Sequence, residues 1–114
     1  MFARSQHRRF EEILPGVQQR TLETTPSLML CEARLRKGSR VPPHQHPHEQ
    51  ISYIVTGRLR VRINGQEATM EAGDAYAIPG NVTHEIDVLE DAVVVDVFSP
   101  HRPEYSLERC VTEE

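Results

Sequence analysis

Residues 42–57 read PPHQHPHEQISYIVTG and set three histidines, a glutamate and two glutamines between two prolines and a glycine. Imidazole is the commonest protein ligand for zinc, nickel, copper and iron. His44 and His46 are two apart, so on an extended strand both point to one face. Gln50 shares their parity and Glu49 does not, so a roughly regular strand past Pro47 places the amide beside the two imidazoles and turns Glu49 away. His48 has the same parity. Pro47 cannot take part in a regular central ladder, and a local bend there removes His48 from the set and leaves it a rim or substrate role. A metal needs a further ligand from elsewhere, and His84, in Val82-Thr83-His84-Glu85-Ile86, is the candidate. His7 and His101 stand alone and are read as ordinary histidines. One divalent ion on His44, His46, Gln50 and His84 is expected. Three imidazoles and an amide oxygen suit nickel, zinc, iron, manganese or cobalt alike.

The elements that must position these groups are short strands. Pro15-Gly16, Lys37-Gly38, Gly57, Asn64-Gly65, Ala72-Gly73, Pro79-Gly80, Glu90-Asp91 and Ser99-Pro100 punctuate segments rich in Val, Ile, Leu and Tyr. That rhythm belongs to a sandwich or barrel of antiparallel strands. Leu59-Arg60-Val61-Arg62-Ile63 alternates apolar and charged residues, so one face is buried and one is wet. Asn64-Gly65 then supplies two left-handed positions for a tight hairpin, and Gln66 to Met70 returns as the partner strand. Ala92 to Phe98 is apolar on both faces except at Asp96. A strand covered on both sides reads this way, which predicts that the barrel wall packs on a second subunit, giving a homodimer. Gln6 to Leu14 is a short helix or an arm, and the chain after Ser99 is irregular surface.

The 114 residues suit one domain. A formal net charge of −4 argues against a nucleic-acid partner, which wants a basic face. The basic group Arg4, His7, Arg8 and Arg9 runs straight into Glu11 and Glu12 and reads as a solvated terminal segment. No apolar run approaches the roughly 20 residues of a membrane helix, and the start does not look like a secretion signal. The expected location is cytoplasmic. Cys31 and Cys110 lie far apart and in no ligand motif; they read as a small apolar strand residue and an incidental tail thiol, both kept reduced.

The chain resembles the cupins. Five residues separate Gly38 from His44, three separate His46 from Gln50, and six separate Gln50 from Gly57, as in the first cupin motif, with glutamine where glutamate usually stands. Gly73, Pro79 and His84 fit the second motif, although Gly80-Asn81 makes the turn and Val88 replaces the final asparagine. The resemblance implies an all-β fold, a double-stranded β-helix or jelly-roll barrel with a short N-terminal arm. One domain of residues 1–114 is expected, with the barrel core over about 22–100 and an irregular tail over 101–114. Within the cupins, HPHEQISYIVTGRLRVRINGQ and LEDAVVVDVFSPHRPEY look like the small proteins of pectin and alginate breakdown, which open 4,5-unsaturated uronates to linear keto sugars. That likeness implies a metal on His44, His46, His84 and Gln50, and a pocket carrying Asp96, Phe98 and Arg102.

The chemistry of these residues agrees with the resemblance. Three neutral imidazoles and a neutral amide leave the metal's full 2+ charge uncompensated, which favours a small anionic substrate such as a uronate. Arg102 offers a planar fork for a carboxylate; its plainer reading is a surface ion pair with Glu104 or Asp91. Asp96 sits among valines on the face shared with Val94 and Phe98. Burial raises a carboxyl pKa and a nearby cation lowers it, so Asp96 is the expected general acid/base, or else a structural carboxylate supporting a ligand. Phe98 is core with one face on the pocket, and Tyr53 or Tyr76 could reach the cavity. Other uses of the same architecture are a metal-dependent dioxygenase, a non-catalytic binder of a small acid or sugar, and a polyketide cyclase or isomerase.

Overall fold

The computed structural model describes residues 1–100, 102–105, 107 and 111. His101 and Cys110, and the side chain of Glu104, lie outside the described residues. Among the described residues eight strands follow in chain order: β1 (Glu11–Leu14), β2 (Val17–Thr24), β3 (Met29–Leu35), β4 (Arg40–His44), β5 (Glu49–Ile63), β6 (Gln66–Glu71), β7 (Ala75–Ile78) and β8 (His84–Ser99). Every strand pairing is antiparallel, in the order β1-β2-β3-β8-β5-β6, with β4 on β8 and β7 on β5. No helix among the described residues is long and apolar enough to cross a membrane.

The two long strands organise the barrel. β5 and β8 pair from Glu49 with Ser99 to Ile63 with His84. On the other edge of β8, β4 takes the first half and β3 the second. On the other edge of β5, β7 takes the first half and β6 the second. Each long strand therefore serves two packed halves of a jelly roll, bending between them where the register of β5 shifts from Ile54 to Leu59. Gly57 lies at that bend with φ +94°. A Cβ there would stand 2.3 Å from the Asp91 carbonyl oxygen, so only glycine lets β5 approach the corner of β8. Asn64 and Gly65 take φ of +50° and +81° and make the hairpin their sequence foretells.

Alternation decides what is inside. Val17, Leu35, Ile54, Leu59, Val61, Tyr76, Ile78, Ile86, Val88 and Val94 form the main core. Met29, Cys31 and Phe98 form a smaller cluster, with Tyr105 packed on it. The opposite parity faces outward. Ile51, Tyr53 and Val55 are exposed, and Val95 and Val97 stand across from Tyr53 and Ile51 on β8.

Three expectations need correction. The pairing starts at Glu11, upstream of the position near 22 where the barrel was expected, because β1 and β2 extend the sheet outward from β3. The basic N-terminal segment is not simply solvated. It runs through a 3-10 turn at Ser5–His7 and docks on β2, where Arg8 donates to the Leu22 carbonyl at 2.9 Å. Arg20 clamps it further, donating to the carbonyls of Ser5 and Arg8 at 3.1 and 2.9 Å while pairing with Glu32 at 2.6 Å. Finally, residues 44–50 are not one strand. β4 ends at His44 and β5 begins at Glu49, with residues 45–48 between them. Pro47 breaks the ladder, as its chemistry requires.

Candidate metal centre and its pocket

His44, the last residue of β4, stands directly across from His84, the first of β8. Their ring centroids are 4.1 Å apart. His46 reaches in from the β4–β5 connection, with its ring 4.9 Å from His84 and 5.6 Å from His44. One nitrogen from each of the three lies within 4.8 Å of the others. The backbone sets the ring orientations. The Nδ1 atoms of His44, His46 and His84 lie 2.9, 3.1 and 2.9 Å from the carbonyl oxygens of Pro42, His48 and Val82. A carbonyl only accepts, so each Nδ1 carries the proton and each Nε2 keeps its lone pair. Among the described residues His46 Nε2 is buried without a partner.

This arrangement fits a divalent metal. Burial, above all, holds the His46 imidazole down at about pKa 4, with Arg102 and His84 adding to the effect. Burial also lowers His84, against the opposing bond to Val82. Both rings are therefore neutral at neutral pH and need not lose a proton to bind an ion. His48 is buried instead of lying at a rim, with its ring 5.5 Å from His46, and it is outside the three-histidine cluster. The parity argument placed it on the ligand face, and the break at residues 45–48 takes it away.

Gln50 lines the same cavity as His44 and His84. Its Nε2 donates to Ser52 Oγ at 2.9 Å and lies 3.5 Å from Asp96 Oδ1. Ser52 Oγ in turn donates to Asp96 Oδ1 at 2.5 Å. The amide nitrogen is thus committed to the barrel wall, and the amide oxygen is the end whose chemistry suits a metal ion. Tyr76 is a further hydrogen-bond partner of Ser52, and burial pushes its phenol pKa well up. Asp96 is half-buried on β8, and desolvation of its carboxyl lifts the pKa to about 6, although Ser52, Gln50 and Arg102 all pull it down.

The mouth carries the remaining groups. The Arg102 guanidinium sits 5.1 Å over the Phe98 ring and 4.4 Å over the Tyr105 ring. Asp91, one ion-pair partner considered for Arg102, instead accepts from the Lys37 backbone N–H. Tyr105 belongs to a 3-10 turn at Pro103–Tyr105, and its carbonyl accepts from Thr21 Oγ1. The structure gathers His44, Gln50, His84, Asp96, Phe98 and Arg102 around one cavity, with Tyr76, Tyr105 and Gln19. Tyr53 points out of it. Sequence reasoning passed over Ser52, Tyr105 and Gln19. Ser52 shares the parity of Gln50, which was the available signal; nothing local marks the other two.

A barrel of antiparallel strands with three converging histidines at its mouth defines a cupin, and residues 31–98 match the family model described as a cupin domain. The chain belongs to that family. It is similar to the pectin degradation protein KdgF of Dickeya dadantii (strain 3937), 33% identical over 98 residues that span 84% of this chain and 89% of that protein. The solved structure of KdgF from Halomonas sp. superposes with a TM-score of 0.87 at 32% identity, covering 93% of this chain and 98% of that one. The polyketide synthase CurC of Streptomyces cyaneus is 34% identical over 84 residues, 71% of this chain and 54% of that protein.

Proposed function

We propose that this chain is an isomerase that opens the ring of 4,5-unsaturated uronates to linear keto sugars. The observation that carries the reading is the half-buried Asp96 carboxyl, set beside Gln50 in the cavity that also holds His44, His84 and Arg102. The similarity to pectin degradation proteins supports the substrate class.

In this reading Arg102 takes the substrate carboxylate in its guanidinium fork, and Phe98 floors the sugar ring. Asp96 removes the proton from the anomeric hydroxyl. The bond between C1 and the ring oxygen then breaks, and its electron pair leaves with that oxygen. C1 becomes an aldehyde and C5 an enolate. Asp96 returns the proton to C4 as the enolate collapses to the ketone. One proton moves and no atom is gained or lost, so no oxidant is needed. A divalent ion held by His44, His46, His84 and the Gln50 amide oxygen supplies Lewis-acid stabilisation of the developing negative charge. We place the protein in the cytoplasm as a homodimer, with a second copy covering the outward strip of Ile51, Tyr53 and Val95.

The test is the ultraviolet absorbance of the ring double bond in an unsaturated uronate made fresh by a lyase. Metal-loaded protein should accelerate its loss above the spontaneous rate, and chelator-treated protein should not. No acceleration by metal-loaded protein overturns the reaction. The similarity to CurC favours a second reading, cyclisation or isomerisation of a polyketide. Turnover of such a substrate in place of the uronate would establish it, and oxygen uptake with either would establish a dioxygenase.

A further inference from the structure

Gln19, on β2, is a polar side chain for which the ring-opening chemistry has no use. It is 5% exposed and lines the cavity shared by His44, Gln50, Asp96 and Arg102. Among the described residues neither its Nε2 nor its Oε1 has a hydrogen-bond partner. Its strand neighbours explain why. Gln19, Ala33, Val94 and Ile54 make one inward row across β2, β3, β8 and β5, and none of the other three has a polar side chain. The next inward row is Thr21, Cys31, Asp96 and Ser52. Two strand spacings and one row separate Gln19 from Asp96, roughly 12 Å between their Cα atoms on a flat sheet. That is too far for direct contact and close enough for one monosaccharide to touch both.

A buried amide left unsatisfied at both ends is unfavourable, and such a group in a native fold calls for an explanation. The amide presents one acceptor and two donor hydrogens side by side. A carboxylate offers acceptors alone and cannot satisfy Oε1. Two adjacent hydroxyls can satisfy both ends, one donating to Oε1 and the other accepting from Nε2. We propose that Gln19 is the hydroxyl-reading residue of this pocket and recognises a vicinal diol on a sugar-type substrate. The inference rests on the uronate reading for its substrate class and deepens it. The carboxylate of a uronate faces Arg102, and the diol at the other side of its ring faces Gln19.

The experiment is calorimetric titration of nickel-loaded wild type and Gln19→Leu with two unreactive probes. One is galacturonate, a saturated uronate with its hydroxyls. The other is tetrahydropyran-2-carboxylate, a ring acid without them. Gln19→Leu should weaken galacturonate binding tenfold or more, about 1.4 kcal/mol at tenfold, and leave the hydroxyl-free acid and the bound nickel unchanged. Its melting temperature should equal or exceed that of wild type, because leucine removes a buried amide without leaving a cavity. Gln19→Met serves the same reading should the leucine variant fold poorly. Unchanged galacturonate affinity, equal weakening of both probes, or no galacturonate binding by wild type overturns the assignment. Discrimination of the probes with no turnover of the unsaturated uronate refutes the reaction and upholds Gln19. Turnover with no change in probe discrimination refutes Gln19 and upholds the reaction.

Discussion

Ser52 and Asp96 are cross-strand partners on β5 and β8, and the serine hydroxyl meets the carboxylate at 2.5 Å. The same hydroxyl accepts from Gln50 Nε2 at 2.9 Å. One small side chain therefore fixes which end of the Gln50 amide faces the cavity. Ser52→Ala should lower metal affinity about tenfold, the lower end of what outer partners of a ligand contribute. Competition with a chromophoric chelator measures this, and an unchanged affinity would show that the amide holds its orientation without the serine.

Asp96→Asn preserves shape and removes the proton-transferring group. The variant should bind its full complement of metal while kcat falls about 10²- to 10⁴-fold, the usual contribution of a positioned acid or base. Metal analysis beside the ultraviolet assay separates the two effects. Full activity would assign Asp96 a structural role.

The same residue predicts a pH dependence in metal-free protein. Folding raises the Asp96 pKa from 3.8 to about 6. Its stabilising contribution is therefore complete below the unfolded value and is lost as pH rises through the folded one. The shift corresponds to about 3 kcal/mol. His46 runs the other way. Its pKa falls from 6.5 to about 4, so its contribution is complete above 6.5 and is lost as pH drops through 4. In urea unfolding of chelator-treated protein, Asp96→Asn should gain about 3 kcal/mol on wild type between pH values below 3.8 and above 6. A constant difference across that range would mean the carboxyl is not desolvated.

Metal should stabilise the fold without being needed for it, because the cluster around Ile54, Leu59 and Val94 lies on strands that pair without the histidines. An ion at 1,000 times its dissociation constant adds about 4 kcal/mol. Thermal denaturation with and without nickel should show that gain in wild type and not in His46→Ala, while both proteins fold when chelated.

The N-terminal arm should depend on one residue. Arg20 holds Glu32, the Ser5 hydroxyl and carbonyl, and the Arg8 carbonyl, and its guanidinium lies 4.4 Å over the Phe10 ring. Arg20→Ala leaves Glu32 partly buried and unpaired, which should cost about 3 kcal/mol. Trypsin should then cut faster at Arg8 and Arg9. Adding Glu32→Gln should restore part of the stability and leave the arm loose.

The residues that announce chemistry were legible because their types are rare and their spacing is local. Strand parity sets His44, His46 and Gln50 on one face, and the structure gathers the histidines with His84 and puts Gln50 on the adjoining cavity, although the strand is broken at residues 45–48. The proline that breaks it also explains why His48 leaves the ligand face. Tyr53 and Tyr76 show where local reading stops. Both lie on strands, and their opposite placements follow from the register of β5 with β7, where Ser52 pairs with Tyr76 and Tyr53 with Ala75.

By itself the sequence determined the alternation, the hairpin at Asn64-Gly65, the glycine at 57 and which side chains are candidate donors, because each depends on near neighbours and side-chain type. Tertiary structure alone decided what those donors face. His44 meets His84 only because β4 and β8 pair at that register. Ser52 meets Asp96 only because β5 lies beside the second half of β8. Gln19 looks into the cavity only because β2 and β3 carry it around the barrel. The two pairings join residues 40 and 44 positions apart in the chain, and no local pattern of charge or hydropathy encodes a pairing made across the sheet.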